Sequence, residues 1–298
     1  MTNIINPEKQ KIIVVAVAAL VSFLGLEAAS QALQIFQIAT FLRIVFYVYI
    51  FLIFWQMLVF DLHLKKPRAT TGLTRTVAGA LKERFEYLKY RHHWLHFQNY
   101  LILPGIIYWT TVVMLYLNPF GQTIKQVFIT ISTISLAVVF WYLKTVFLSH
   151  KDAKVHHRQL IFLAKLLASY LAFAGAFGVT RYFGYGASWF MVAVFALTFM
   201  LLYQALFQHH ETGFETLKFL FATSLILGAT AFFLYYFWNV NYFSGALVLT
   251  GIYNTIWGLI HHKWIDKNLS REMVYEYLAV LFVILVIVFS STNFAQRI

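Results

Sequence analysis

Histidine is the residue type in this chain whose number and grouping could do chemistry. Eight of the eleven histidines form four adjacent pairs, and the other three stand singly. Neutral imidazole is a ligand for iron, copper and zinc, and it brings no charge into a nonpolar setting. The grouping therefore predicts a metal site. The eleven positions are His63, His92, His93, His96, His150, His156, His157, His209, His210, His261 and His262.

Spacing within these groups indicates which rings could share a metal. His92 and His96 stand four residues apart, so on a helix they project from one face. Neighbouring residues on a helix point about 100° apart, so one ring of each pair can face a common interior. Asp266 follows the last pair closely, and its carboxylate could complete the ligand set or orient a ring.

We expect one or two metal ions, held mainly by histidines. His63 and His150 are the expected bystanders. The predicted ligands are His92, His93, His96, His156, His157, His209, His210, His261, His262, Asp266 and Glu211.

The elements that must position these residues are membrane-spanning helices. Of the 298 residues, 61% are hydrophobic and only 11% charged, whereas soluble domains carry about 25% charged residues. Apolar runs long enough to cross a bilayer of about 30 Å recur along the chain. We predict an all-α polytopic bundle in a single transmembrane domain, 1–298, with about nine spans. These are 12–31, 38–60, 100–118, 126–148, 159–181, 187–207, 216–237, 242–260 and 273–291.

Basic residues predict the orientation of these spans. Of 23 Lys and Arg residues, only Lys125, Arg181, Arg297 and Arg43 fall on the side of the short turns, and the other 19 lie on the opposite side. Loops rich in Lys and Arg stay in the cytoplasm. The N-terminus is therefore expected to be cytoplasmic and, with an odd number of spans, the C-terminus outside. Every histidine then lies at or just beyond a cytoplasmic helix end.

A segment between the second and third spans, about 64–99, differs from the spans in composition. Val77, Leu81, Phe85 and Leu88 recur at helical spacing, with charged residues between them. This pattern is typical of an amphipathic helix in the membrane interface. We predict such a helix over about 75–97, on the cytoplasmic surface.

Composition also excludes several classes of function. The chain has no cysteine, which rules out thiolate metal sites and cysteine nucleophiles. The net charge of +12 is carried in short loops beside the spans, where lipid head groups rather than nucleic acid are the expected partner. Only three aspartates occur, with no Asp-rich diphosphate motif. Motifs of serine hydrolases and nucleotide-binding proteins are absent too.

The histidine pattern resembles that of the histidine-rich membrane non-haem iron oxygenases, namely fatty acid desaturases, hydroxylases and alkane hydroxylases. His92-His93-Trp94-Leu95-His96 looks like one of their histidine boxes with the order of residues changed. The stretches 207–211 and 260–266 look similar to the two late histidine motifs of the Brp/Blh-type carotene-cleaving dioxygenases. Both resemblances imply one or two non-haem iron ions, dioxygen and a lipid or isoprenoid substrate. Zinc or another divalent metal is the alternative to iron.

The leading hypothesis is thus a membrane-embedded iron oxygenase, desaturase or hydroxylase, with membrane lipids and an electron-donor protein as possible partners. A transporter or metal permease, or a scaffold with a histidine-rich cytoplasmic rim, is the alternative. Asn254, Trp257 and Gly258 form a small and polar stripe that is either a cavity wall or a helix-packing seam. Glu27 and Arg43 are interpreted as an ion pair or as side chains reaching the interface. The metal, the substrate and the oligomeric state stay open.

Overall fold

The computed structural model describes residues 7–35, 37–56, 91–117, 121–148, 155–207, 213–238 and 241–292. Within these ranges every regular element is helical, which confirms the all-α prediction. The helices are α1 (Pro7–Gln34), α2 (Ile38–Phe54), α3 (Arg91–Leu117), α4 (Gln122–Leu148), α5 (Val155–Tyr182), α6 (Ala187–Phe207), α7 (Phe214–Phe237), α8 (Tyr242–Ile260) and α9 (Arg271–Ser291).

Length and hydropathy confirm a multi-pass membrane protein. Among the described residues, seven helices are long and apolar enough to cross a bilayer, and two shorter apolar helices cover Ile38–Phe54 and Leu101–Leu117. Each of the nine predicted spans coincides with one of these helices. They form because the apolar runs leave backbone N–H and C=O groups no water to bond with, and the helix satisfies them internally.

The predicted interfacial helix lies mostly outside the described residues, because 57–90 are not among them. The remainder, 91–99, belongs to α3, which runs without interruption from Arg91 into the third span. Pro104 lies within this helix. The stretch just before the span is therefore continuous with it.

The chain divides into two compact units, Met1–Ala164 and Lys165–Ile298, and each is described by itself. The prediction of a single domain over 1–298 stays a prediction. In the first unit α1 and α2 form a hairpin with close backbone approach, since a Cβ at Gly25 would lie 2.5 Å from Val48 Cγ2. The Trp55 indole N–H donates to the Val14 carbonyl over 2.9 Å. The Tyr108 hydroxyl of α3 donates to the Val45 carbonyl of α2 over 2.7 Å.

Glu27 is held by amides in this unit. Gln126 Nε2 of α4 lies 2.8 Å from each oxygen of the Glu27 carboxylate, and Gln31 Nε2 donates to Oε1 over 3.2 Å. Within the described residues the carboxylate forms no ion pair with Arg43, whose side chain is exposed. Instead of an ion pair with Arg43, Glu27 of α1 forms hydrogen bonds with Gln126 of α4.

The second unit packs α6 against α7 and α5 against α8. Gly228 of α7 allows close approach, because a Cβ there would lie 3.1 Å from the Met191 carbonyl oxygen of α6. Gly245 of α8 allows close approach to α5, because a Cβ there would lie 2.6 Å from Phe177 Cε1.

Arg181 lies beside a short turn, where basic residues are rare in this chain, and its contacts give the reason. Its guanidinium donates to the Tyr235 carbonyl over 2.7 Å and to the Trp238 carbonyl over 3.3 Å at the end of α7, where unpaired carbonyls favour a cation.

Candidate metal centre

The structure brings three of the predicted ligands together. His261, His262 and Asp266 of the second unit follow directly after α8, and one ligand atom from each lies within 4.8 Å of the other two. Among the described residues, no other group of three histidine or acidic side chains meets this distance.

The remaining predicted ligands have a partial description or none. The backbone of His92, His93 and His96 lies at the start of α3, and that of His156 and His157 at the start of α5, while their side chains lie outside the described part of the chain. His209, His210 and Glu211 lie outside the described residues altogether. Their participation in a shared site stays a prediction.

A π-helical turn over His261–Ile265 creates the cluster. In an α-helix residues five apart point about 140° away from each other, given 100° per residue, so Asp266 would meet His262 but not His261. Here the Asp266 N–H donates to the His261 carbonyl over 3.1 Å, a bond between residues five apart. Because this turn contains more residues than an α-helical turn, the Asp266 side chain comes to lie next to the side chains of both histidines. The helical turn ends at Ile265, and Lys267 just beyond it has a positive φ of 53°.

One carboxylate oxygen serves both imidazoles. Asp266 Oδ2 lies 3.1 Å from His261 Nδ1 and 2.9 Å from His262 Nδ1. The two rings are nearly perpendicular, with centroids 5.8 Å apart. Side-chain exposure is 36% for His261, 25% for His262 and 42% for Asp266, so an ion can reach the cluster from outside.

These distances suit a metal ion as well as hydrogen bonds. Bonds of about 2.1 Å that meet at right angles hold their ligand atoms about 3.0 Å apart. The distances from Asp266 Oδ2 to the two Nδ1 atoms are close to this value, so the carboxylate can take a position next to each imidazole around one ion. Two histidines and one carboxylate, with the remaining positions open, are the ligand set of non-haem iron oxygenases.

Tyr277 of α9 completes the surroundings of His262. Its hydroxyl lies 3.4 Å from His262 Nε2, the ring nitrogen that does not face Asp266. The tyrosine comes this close because Gly258 of α8 has no side chain. A Cβ at Gly258 would lie 2.8 Å from the Tyr277 hydroxyl oxygen and closer still to ring carbons Cε1 and Cζ. Gly258 therefore belongs to a helix-packing seam between α8 and α9 rather than to a cavity wall.

One aromatic side chain, that of Trp257, contacts the His261 ring. Trp257 is buried, and its ring meets that of His261 edge to face at 5.8 Å. Lys165 of α5 is buried as well, with Nζ 5.4 Å from the centre of the Trp257 ring. A cation over an indole face is favourable, and more so where water is excluded. Trp257 therefore lies between His261 and Lys165 in this chain of contacts, which connects the cluster to α5.

Sequence reasoning identified Asp266 but missed Tyr277. The aspartate stands close to the histidine pair in the chain, whereas Tyr277 is 15 residues beyond His262 and on the next helix. The sequence signal that could have found it is the pairing of a small residue, Gly258, with an aromatic residue on the adjacent span.

Fold and site define a polytopic helical membrane protein with a histidine–histidine–aspartate cluster at the end of one span. The chain belongs to the family described as "Protein of unknown function (DUF5656)", whose model matches residues 69–291, about three quarters of the chain and including the whole cluster. No curated protein and no solved structure matches the chain significantly.

Proposed function

We propose that this protein is a membrane-embedded non-haem iron oxygenase, with iron held by His261, His262 and Asp266. The observation that carries the proposal is the shared Asp266 oxygen, 3.1 Å and 2.9 Å from the two imidazole nitrogens. Two neutral imidazoles and one carboxylate give the ion three ligands and leave further positions for dioxygen and substrate. Zinc is the alternative metal.

The substrate proposed is the hydrocarbon part of a lipid or isoprenoid, because the cluster ends a predominantly apolar span. Hydroxylation of one C–H bond consumes one O2, two electrons and two protons, and yields an alcohol and one water. The electrons would come from an electron-donor protein, so such a partner is part of the proposal. Iron would supply dioxygen activation, and the apolar helices would hold the chain and exclude water.

We also propose that the cluster faces the cytoplasm, with the N-terminus on the same side and the C-terminus outside. The uneven distribution of Lys and Arg between the two sides of the spans supports this orientation. A donor protein would then dock on the cytoplasmic face. The basic rim there would attract an acidic partner or anionic lipid.

Metal content of the full-length protein tests the proposal. The protein is purified with a tag that contains no histidine, metal-depleted, incubated with Fe(II) without oxygen, desalted and analysed for iron. Wild type should retain at least one iron per chain. Asp266→Asn should retain much less, because the carboxamide lacks the negative charge of the carboxylate. Glu272→Gln makes the same chemical change at an exposed residue of α9 outside the cluster, and it should retain iron as wild type does.

Removing both imidazoles gives an independent test. The double variant His261→Ala with His262→Ala should lose the iron and keep its helical circular dichroism, because these side chains lie at the end of α8. Lys263→Ala, at an exposed position in the same turn, should keep both the iron and the helical circular dichroism. Wild-type protein that retains no iron would contradict the oxygenase and leave the transporter and scaffold hypotheses. Iron that is bound equally by wild type and Asp266→Asn would show that the metal is held elsewhere.

A further inference from the structure

Each ring nitrogen of His262 faces a different partner. Nδ1 lies 2.9 Å from Asp266 Oδ2, and Nε2 lies 3.4 Å from the Tyr277 hydroxyl. A neutral imidazole carries one proton, so one nitrogen donates a hydrogen bond and the other accepts. An ionised carboxylate only accepts. We expect the neutral, metal-free ring to carry its proton on Nδ1, which faces the carboxylate, so that the Tyr277 O–H donates to Nε2.

Metal binding reverses these roles. A metal at Nδ1 needs the lone pair that the proton occupied, so the proton of the neutral ring has to reside on Nε2. The second nitrogen of a metal-bound histidine usually donates to a nearby acceptor, which fixes the ring and strengthens the ligand. Among the described contacts of His262, the only group at Nε2 is the Tyr277 hydroxyl. A hydroxyl can donate and can accept.

We propose that Tyr277 is the positioning residue of the metal centre: its hydroxyl donates to His262 Nε2 without metal and accepts from it when metal binds at Nδ1. This inference rests on the proposed metal site at His261, His262 and Asp266. The proton moves between the two nitrogens of one ring, so no proton is gained or lost. A carboxylate or a lysine in place of Tyr277 could serve only one of the two states.

The packing of α9 on α8 holds the hydroxyl in place. The Tyr277 ring lies across the backbone of Gly258 and its centroid is 5.8 Å from that of His262. A phenylalanine at 277 would keep this packing and remove only the hydrogen bond. Tyr275 provides a matched control, because it lies on the same helix, is 70% exposed, and belongs to no contact of the cluster.

Zinc affinity of the full-length protein in detergent tests the inference. Zn(II) is titrated against a chelator of known affinity for wild type, Tyr277→Phe and Tyr275→Phe. Loss of an outer hydrogen-bond partner typically costs 10–100-fold in metal affinity. We expect Tyr277→Phe to bind zinc about 10–100-fold more weakly than wild type, and Tyr275→Phe to bind it equally well.

Nitrogen NMR of histidine-labelled protein gives a readout that packing alone would not change. In metal-free wild type, His262 should carry its proton on Nδ1, and in the zinc-loaded protein on Nε2, with the His262→Gln variant used to assign the signals. In metal-free Tyr277→Phe, the Nε2 signal should shift because its hydrogen bond is lost.

The outcomes separate this inference from the proposed function. If wild type binds no zinc and no iron, both are overturned. If wild type binds zinc and Tyr277→Phe binds it equally, or if the Nε2 signal is the same in both proteins, the site stands and the role of Tyr277 is refuted. Weaker binding together with the shifted Nε2 signal supports it.

Discussion

Gly258 offers the sharpest test of how α8 and α9 build the site. In Gly258→Ala the new Cβ would lie 2.8 Å from the Tyr277 hydroxyl oxygen, whereas ordinary contact begins at 3.4 Å. The hydroxyl must therefore retreat by about 0.6 Å, and the nearer ring carbons by more. Overpacking of this kind costs typically about 1–3 kcal/mol. Alanine in place of glycine in a helix gains up to about 1 kcal/mol, which offsets part of the loss.

Gly251 supplies the matched control. It lies seven residues earlier on the same face of α8, and a Cβ there would lie 3.4 Å from both Ile284 and Leu281 of α9, an ordinary contact. Gly251→Ala and Gly258→Ala share the helix gain, so the difference between them isolates the clash. We expect Gly258→Ala to be about 1–3 kcal/mol less stable than Gly251→Ala.

Thermal denaturation of both variants in the same detergent measures this difference. The double variant Gly258→Ala with Tyr277→Leu should recover part of the loss, because the ring that clashes is gone. Zinc affinity should fall in Gly258→Ala, since the displaced hydroxyl no longer reaches His262 Nε2. Equal stability and equal zinc affinity in the two alanine variants would refute the close packing of Tyr277 on α8.

Three further predictions concern other parts of the chain. Gln126→Leu should destabilise the protein by about 1–3 kcal/mol, because the Glu27 carboxylate loses its hydrogen bonds from α4; thermal denaturation measures it, and an unchanged midpoint would contradict the link. Arg181→Met should cost about 1–2 kcal/mol in the same assay by leaving the last carbonyls of α7 without their donor. Single cysteines at Gly121 and Gly213, both exposed, should react with a membrane-impermeant label from opposite sides of the membrane. Labelling from one side would show that the assigned topology is wrong.

The helices could be predicted from the sequence because length and hydropathy alone decide them. An apolar run of about 20 residues has one way to satisfy its backbone in a bilayer, and each predicted span coincides with a helix. The boundary of α3 differs because the residues from Arg91 onward are polar and still helical. Hydropathy marks where a span enters the apolar region, not where its helix begins.

The site could be predicted only in part. Proximity in the chain linked Asp266 to His261 and His262, but regular α-helical spacing would align it with His262 alone. The π-helical turn that aligns both histidines has no simple hydrophobic pattern, and it is completed by the positive φ of Lys267. Tyr277 belongs to another helix, so its position depends on how α9 packs against α8. The periodicity of residues within one segment does not predict this packing. The other eight predicted ligands gain no test from the described side chains.

The position of α9 links the cluster to the lipid around it. Only 6% of the spanning window of α9 is buried, compared with 61% for α8, and large side chains such as Phe282 and Ile287 are exposed. Most of the surface of the helix that carries Tyr277 is therefore left uncovered within the second unit, and in a bilayer we expect it to face acyl chains. A bilayer of different thickness can change the tilt of such a helix, and a change of tilt would alter the distance from the Tyr277 hydroxyl to His262. Metal affinity of the proposed site should thus depend on acyl-chain length, so that bilayer thickness would be one of the variables that control the site.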